Sequence, residues 1–173
     1  MSSNTRPIAV FHEHPDWFRP LFAELDRREI PYVRLDAASH RFDPSETDAP
    51  YSLVVNRASP SAYLRAHGQT TFYTLHWLKH LERIGVPVVN GSGIYGIEIS
   101  KATQLDLLND LGLPYPRAVV INDAAQAPAA ARGLRFPVLV KANVGGSGAG
   151  IVKYDTPEVL ETESGRGPSD AGC

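Results

Sequence analysis

The sequence predicts an α/β protein whose first half is a parallel sheet with helices on its faces. Four short apolar runs have the length and composition of buried strands, at residues 8–11, 31–35, 52–55 and 86–89. Helix-length segments separate the first run from the second and the third from the fourth, an alternation typical of parallel sheets. A second half of different character, which carries a glycine-rich hairpin, follows a predicted boundary near residues 97–100.

The composition is that of an ordinary globular protein, with 43% hydrophobic and 21% charged residues among 173. The net charge of −2 does not favour nucleic acid as a partner. The single cysteine, Cys173, excludes an intramolecular disulfide and a cysteine zinc site. No segment reaches the roughly 18–20 apolar residues of a membrane span, and no signal peptide is evident. We therefore expect a cytoplasmic protein without a membrane or nucleic-acid partner, and homo-oligomerisation stays open.

Two helices are predicted in the first half. An apolar repeat at helical spacing follows Asp16, which can cap that helix, and residues 70–84 form a second helix that Gly85 ends. Residues 37–50 are polar and predict a loop. Because ligands of parallel sheets bind at the carboxyl ends of the strands, one edge is a candidate site, with the polar residues His12, His14, Asn56, Arg57 and Asn90.

The second half predicts a helix capped by Ser100, a strand at residues 117–121, an alanine-rich helix at 123–132 and then the glycine hairpin. Pro157 is typical of a first helical position, but the apolar repeat expected after it stops. We therefore predict that residues 161–173 are a disordered or foreign tail. The predicted domains are residues 1–98, residues 99–160 and that tail.

The glycine-rich hairpin is the strongest functional signal. A buried strand ends at Lys141, the glycines follow, and a second strand-like run occupies residues 151–154. The P-loop pattern does not fit, because Ile151 and Val152 stand where it needs Lys and Ser/Thr. The layout favours a lid over phosphates, flanked by strands, with a nearby lysine pairing with phosphate oxygens. The candidate phosphate-binding residues are Lys141, Gly145, Gly146, Ser147, Gly148 and Gly150, to which Lys101 in the first turn of a helix is added.

Simpler interpretations stay open beside these. The glycines also suit a loose hairpin loop, and Lys101 and Arg57 also suit ordinary surface positions. His12 and His14 are either solvated loop residues or substrate contacts, whereas Arg57 could clamp a carboxylate.

Two further patterns carry weaker hypotheses. Residues 91–96 match GxGxxG after a strand, but a dinucleotide site is disfavoured because the next helix is expected only near Ser100. The acid after the following strand, Asp123, also comes too late for that fingerprint. His76 and His80 share a helix face at i, i+4 without a third ligand, so no metal site is predicted.

Two stretches of the second half resemble an ATP-grasp ligase: SKATQLDLLNDLGLPYPRAVVI at residues 100–121 and FPVLVKANVGGSGAGIVKYDTPEVL at residues 136–160. The resemblance is to the group that contains ribosomal-protein glutamate ligases, D-alanine–D-alanine ligase and glutathione synthetase. It implies a Rossmann-like preATP-grasp domain followed by the start of an ATP-grasp domain. It also implies that Lys101, Lys141 and the glycine loop hold the phosphates of ATP, with Mg²⁺ as a second cofactor.

The implied activity is the ATP-driven ligation of a carboxylate to an amine or thiol through an acyl phosphate. His12, His14 and Arg57 would face the small-molecule or peptide carboxylate substrate. Family members are substantially longer, and their remaining half carries the magnesium ligands and the catalytic arginine, so neither is assigned here. We therefore expect a fragment that is inactive alone. The alternatives are a non-catalytic nucleotide- or small-ligand-binding module and a dinucleotide-dependent oxidoreductase resting on residues 91–96.

Overall fold

A computed structural model of the chain describes residues 6–14, 16–146, 148 and 150–164. These residues form two compact units. The first unit ends at Lys101 and also takes in the short segment around Gly145, and the second contains the remainder. Among the described residues, no helix combines the length and the apolar character that crossing a membrane requires.

The first unit is built on a four-stranded parallel sheet, as the sequence predicts. Its strands are β1 (Ile8–His12), β2 (Tyr32–Asp36), β3 (Leu53–Asn56) and β4 (Val88–Val89), in the spatial order β2-β1-β3-β4. In the central strand β1, Ile8 lies opposite Tyr32 on one side and Leu53 on the other. The continuous apolar run of β1 is explained by burial on both faces of the sheet.

Helices cover the two faces of this sheet. On one face, Val10 packs with Phe18 and with Phe22 of α1 (Arg19–Arg27). On the other face, Phe11 packs with the buried side of α2 (Gly68–Arg83), including Trp77, which is 2% exposed. A third helix, α3 (Ser92–Glu98), contributes the fully buried Tyr95 to the same cluster.

Two local predictions for the first unit were wrong. Asp16 does not cap α1: Phe18 holds the cap position without a side-chain hydrogen bond, and Asp16 instead forms an ion pair with Arg19. The helix that follows the GxGxxG stretch was expected only near Ser100, but α3 begins within that stretch, at Ser92. The sequence also gave no sign of a 3₁₀ helix, Pro60–Arg65, which lies between β3 and α2.

The second unit confirms the predicted hairpin. The strands β5 (Val138–Val140) and β6 (Val152–Tyr154) pair antiparallel, with Val138 opposite Tyr154. The unit also contains α4 (Lys101–Asp110) beyond its first residue, α5 (Ala127–Ala131) and α6 (Pro157–Ser164). Its small core joins the hairpin to α5 and α6 and consists of Ala127, Ala131, Val138 and Leu160.

Two predictions for the second unit need correction. Residues 117–121 form no strand, since no neighbouring strand in the described chain pairs with them, and Val120 is 63% exposed. Part of the predicted tail is helical, because α6 extends to Ser164 and is anchored by the buried Leu160. The rest of that tail lies outside the described residues.

Candidate functional site

The carboxyl edge of the parallel sheet holds a charged cluster centred on the buried Glu13, the residue that directly follows β1. The Glu13 side chain is 1% exposed and accepts hydrogen bonds from Arg65 Nε at 2.8 and 2.9 Å. Arg65 Nη2 also contacts this carboxylate, and His67 Nδ1 lies 2.8 Å from Glu13 Oε1. A buried carboxylate is stable only when it is paired in this way.

Electrostatics keep Glu13 ionised within this cluster. Burial by itself would raise the pKa of Glu13, but hydrogen bonds from Arg65 and His67 outweigh burial and lower the pKa below its usual value. The Arg65 guanidinium also lies 5.4 Å from the centre of the Trp17 ring, so an aromatic side chain borders the cluster.

Sequence reasoning missed this cluster because its members lie 52 and 54 positions apart along the chain. The available signal was a carboxylate directly after a buried strand, since a charge at that place needs a partner. The residues predicted as candidates at this edge included the two flanking histidines but not Glu13 itself.

The two flanking histidines have structural contacts of their own. The His12 ring packs 5.7 Å from the Phe18 ring and 5.4 Å from the Phe22 ring. His14 Nδ1 accepts hydrogen bonds from the backbone N–H groups of residues 16 and 17, and its ring stacks on Trp17 at 4.1 Å. These contacts fix the loop after β1, and the predicted role of both histidines in binding substrate stays a prediction.

Arg57 follows β3 at the same edge and is exposed. Its guanidinium lies 5.4 Å from the centre of the Phe18 ring. Burial raises the pKa of Glu98, and the nearby Arg57 opposes that rise. Arg57 thus presents an accessible guanidinium, the group that a carboxylate clamp requires, and its substrate role stays a prediction.

Asn56 and Asn90 tie the ends of two strands together. Asn56 Nδ2 donates to the Asn90 carbonyl oxygen and Asn90 Nδ2 donates to the Asn56 carbonyl oxygen, both at 3.1 Å. Asn56 Oδ1 also accepts from the backbone N–H of Ala58 at 3.1 Å. Because these amides are engaged with backbone groups, they shape the edge of the sheet.

The beginning of the glycine loop lies in the first unit, close to Lys101. Lys101 Nζ donates to the carbonyl oxygen of Gly145 at 3.3 Å. The structure thus brings together two of the predicted phosphate-binding elements. Gly148 and Gly150 have φ angles of +73° and +69°, which favour glycine, whereas Ser147 lies outside the described residues.

Lys141, the other predicted phosphate ligand, belongs to the second unit, where it is exposed just after β5. Close to it in sequence, Asn143 Oδ1 accepts from the backbone N–H of Ala102 at 2.8 Å and so satisfies an amide in the first turn of α4. The common phosphate-binding role of Lys101 and Lys141 stays a prediction.

The GxGxxG stretch forms the start of α3 and is bonded to another part of the first unit. Gly91 is the cap residue of α3, and the Glu82 carboxylate accepts from the backbone N–H and the hydroxyl of Ser92, each at 2.6 Å. A side chain at Gly91 would collide with this carboxylate. The start of α3 is therefore already bonded to an anion of the chain itself, which disfavours a dinucleotide site.

A metal site at His76 and His80 gains no support from their surroundings. His80 is 8% exposed, its ring lies 4.8 Å from the Phe42 ring, and His76 is exposed. In the described part of the chain, no three His, Cys, Asp or Glu side chains are grouped to hold a metal ion.

Comparison with known proteins points to one group of enzymes. No family model matches the chain. A D-alanine–D-alanine ligase of Ectopseudomonas mendocina is 38% identical over 82 residues, which are 46% of this chain and 26% of that enzyme. The match is therefore partial on both sides.

Solved structures with the same fold are ATP-grasp proteins. A RimK domain ATP-grasp protein of Sphaerobacter thermophilus superposes with a TM-score of 0.69 at 17% identity over 92% of this chain. The D-alanyl-alanine synthetase A of Vibrio cholerae superposes with a TM-score of 0.63 at 15% identity over 94% of this chain. The ATP-grasp ligase PsnB, solved with a precursor peptide and AMPPNP, superposes with a TM-score of 0.58 at 21% identity over 92% of this chain. The chain spans 55–62% of the length of these three structures, and the likeness confirms the ATP-grasp fold that the sequence predicts.

Proposed function

We propose that this chain is the N-terminal, ATP-binding part of a ligase that joins a carboxylate to an amine or thiol. The observation that carries the proposal is the hydrogen bond between Lys101 Nζ and the Gly145 carbonyl, because it places a cation at the start of the glycine loop. A lysine beside a loop rich in backbone N–H groups is suited to the phosphates of ATP. The fold shared with ATP-grasp ligases supports this interpretation.

In the proposed reaction, a carboxylate oxygen of the substrate attacks the γ-phosphorus of ATP, and ADP leaves to give an acyl phosphate. The amine or thiol then attacks the acyl carbon, phosphate leaves, and the nucleophile loses its proton. Lys101, Lys141 and the loop from Gly145 to Gly150 would hold the phosphates. Such transfer depends mainly on positioning and charge neutralisation, which Mg²⁺ would assist.

The substrate would bind at the carboxyl edge of the parallel sheet. Arg57 presents an accessible guanidinium there for a carboxylate, and His12 and His14 border the same edge. The Glu13 cluster lies beside them, and its buried pairing keeps that part of the edge rigid.

Binding of Mg-ATP, measured by equilibrium dialysis, tests the nucleotide site. Removing a charge-assisted contact of about 1.5–3 kcal/mol weakens binding by roughly 10- to 100-fold, so Lys101→Ala and Lys141→Ala should each do so. Lys79→Ala, which removes an exposed lysine of α2, is the matched control and should leave binding unchanged. Absence of ATP binding, or silence of both lysine variants, would contradict the proposal.

ADP release by the same chain, measured in the same samples, tests whether bound ATP is also turned over. An arm with NAD separates the dinucleotide alternative: NAD binding that Gly91→Val abolishes and Lys141→Ala leaves intact would show that the glycines of α3 form the site.

A further inference from the structure

The 3₁₀ helix Pro60–Arg65 lies against Gly145 and Gly146 of the glycine loop and supplies Arg65 to the Glu13 cluster. We propose that this 3₁₀ helix positions the glycine loop and links its position to the Glu13–Arg65 pair. The inference rests on the proposed function in one respect, that the loop binds phosphates. It assigns Ser61 and Tyr63 as positioning residues that act through the loop backbone.

The glycine loop approaches the 3₁₀ helix closely at Gly145 and Gly146. A Cβ placed on Gly145 would lie 3.4 Å from Tyr63 Oη, and one placed on Gly146 would lie 3.1 Å from Ser61 Cβ. The second distance is shorter than ordinary van der Waals contact, so a side chain at Gly146 would displace the loop or the helix. The absence of a side chain at this position therefore lets the loop rest on the 3₁₀ helix.

The 3₁₀ helix that the loop contacts is held at both of its ends. Ser59 Oγ accepts from the backbone N–H of Ser61 at 3.2 Å and so caps the start of the helix. Pro60, Ser61 and Ala62 are buried, and Arg65 fastens the other end to the Glu13 carboxylate. A helix held at both ends is a suitable base for a loop that must present its N–H groups in one geometry.

Ser61 connects the glycine loop with the Glu13–Arg65 pair. Ser61 Oγ accepts from Arg65 Nη2 at 3.3 Å, while Ser61 Cβ faces Gly146. A change in the pairing of Arg65 with Glu13, such as a substrate carboxylate competing for the guanidinium, therefore alters the surface on which the loop rests. By linkage, an event at the Glu13 cluster and nucleotide binding at the loop influence one another reciprocally.

Backbone ¹⁵N relaxation of the nucleotide-free chain tests the positioning directly. Order parameters near 0.85 indicate a rigid backbone and values below about 0.6 a flexible one. We expect Gly145 and Gly146 to be rigid in the unmodified chain and flexible in Tyr63→Ala. Tyr63→Phe should stay rigid, since the ring contact is retained, and Leu64→Ala, at an exposed neighbouring position, is the control. A loop that is flexible without any substitution, or unaffected by Tyr63→Ala, would overturn the inference.

A size-exchange cycle tests the contact between Ser61 and Gly146. Gly146→Ala should weaken ATP binding by about tenfold, and adding Ser61→Gly should restore most of that loss, since removing one Cβ makes room for the other. If the effects of the two substitutions on the free energy of ATP binding simply add, the proposed contact between Ser61 and Gly146 is wrong. Urea unfolding of each variant separates a loss of binding from a loss of folding.

The link to the cluster is tested by Glu13→Gln in the same relaxation experiment. We expect the order parameters of Gly145 and Gly146 to fall when Arg65 loses its anionic partner, and unchanged values would overturn the link. The relaxation measurements need no nucleotide. If the chain does not bind ATP but Gly145 and Gly146 are rigid, the proposed function is wrong and the positioning of the loop is supported. If the chain binds ATP but these glycines are flexible, only the positioning is wrong.

Discussion

The two units differ in how completely they bury their apolar side chains. In the first unit, the sheet is covered on both faces, and Ala9, Phe11 and Val54 are fully buried. Among the described residues of the second unit, the buried core consists of the four that join the hairpin to α5 and α6. Many large apolar side chains of the second unit are more than a third exposed: Leu107, Leu111, Leu113, Tyr115, Val119, Val120, Leu139, Ile151, Val152 and Val159.

The difference shows that a segment can form the strands its sequence predicts without burying their apolar side chains. The β5–β6 hairpin has the composition of buried strands, yet Leu139 is 59% exposed and Val152 is 45% exposed. A two-stranded sheet is only marginally stable by itself, whereas four strands packed between helices form a stable core. We therefore expect the first unit to carry most of the stability of the chain.

The largest expected difference comes from equal truncations in the two cores. Leu78→Ala, at a fully buried position of α2, should lower the free energy of unfolding by about 3–5 kcal/mol. Leu160→Ala in the second unit should cost about 2 kcal/mol, because its smaller core can relax around the change. Urea unfolding followed by far-UV circular dichroism measures both losses, with Leu64→Ala as an exposed control. Equal losses of unfolding free energy at Leu78 and Leu160 would contradict the proposed difference in core stability between the two units.

A slightly smaller effect is expected for the charged cluster of the first unit. Glu13→Gln should cost about 3 kcal/mol at neutral pH, because Arg65 then loses its buried partner. Since the folded-state pKa of Glu13 is lowered, this stabilisation is present above the unfolded-state pKa and is lost as pH falls through the folded-state value.

The stability difference between the unmodified chain and Glu13→Gln should therefore narrow on acidification below the ordinary pKa of 4.5. The matched control is Glu24→Gln, which removes an exposed carboxylate paired with Arg27 and Arg28 and should change little. A difference that is independent of pH would show that the Glu13 charge contributes nothing.

A moderate effect is expected where Glu82 bonds to the first residue of α3. Glu82→Ala removes acceptors for the backbone N–H and the hydroxyl of Ser92 and should cost about 1 kcal/mol. Hydrogen exchange should show faster opening of α3 with little change elsewhere. Glu161→Ala, an exposed acid on α6 in the second unit, is the control. Unchanged exchange in α3 would mean that this cap is energetically neutral.

The smallest effect is expected on the exposed surface of the second unit. Val120→Ser and Leu139→Ser should change the free energy of unfolding by no more than about 0.5 kcal/mol, because both side chains are already exposed. Binding of an apolar fluorescent dye should decrease in both variants. A destabilisation as large as that of Leu160→Ala would show that these side chains are buried in solution.

Local sequence patterns predicted the parts of the fold that depend on local chemistry. The apolar runs of β1 and β3 predicted a parallel sheet, and the glycines after Lys141 predicted the turn of the β5–β6 hairpin. The run at 117–121 failed as a strand, because a strand needs a neighbour to bond with and the sequence does not show whether one is present.

The site was predicted only where chain-local signals exist. The glycine loop was found from its composition, whereas the pairing of Glu13 with Arg65 joins residues 52 positions apart and follows from tertiary folding. The 3₁₀ helix that holds Arg65 carried no periodic pattern of its own. The start of α3 was missed because its glycines lower helix propensity, while the Glu82 carboxylate that stabilises it comes from another helix.

Both tryptophans of the chain, Trp17 and Trp77, belong to the first unit. The indole of Trp77 lies 4.3 Å from the Phe11 ring and 4.5 Å from the His40 ring, whereas Trp17 is 53% exposed. Tryptophan emission therefore reports on the first unit and carries no signal from the second. A melt followed simultaneously by emission and by circular dichroism would resolve the two halves without any label.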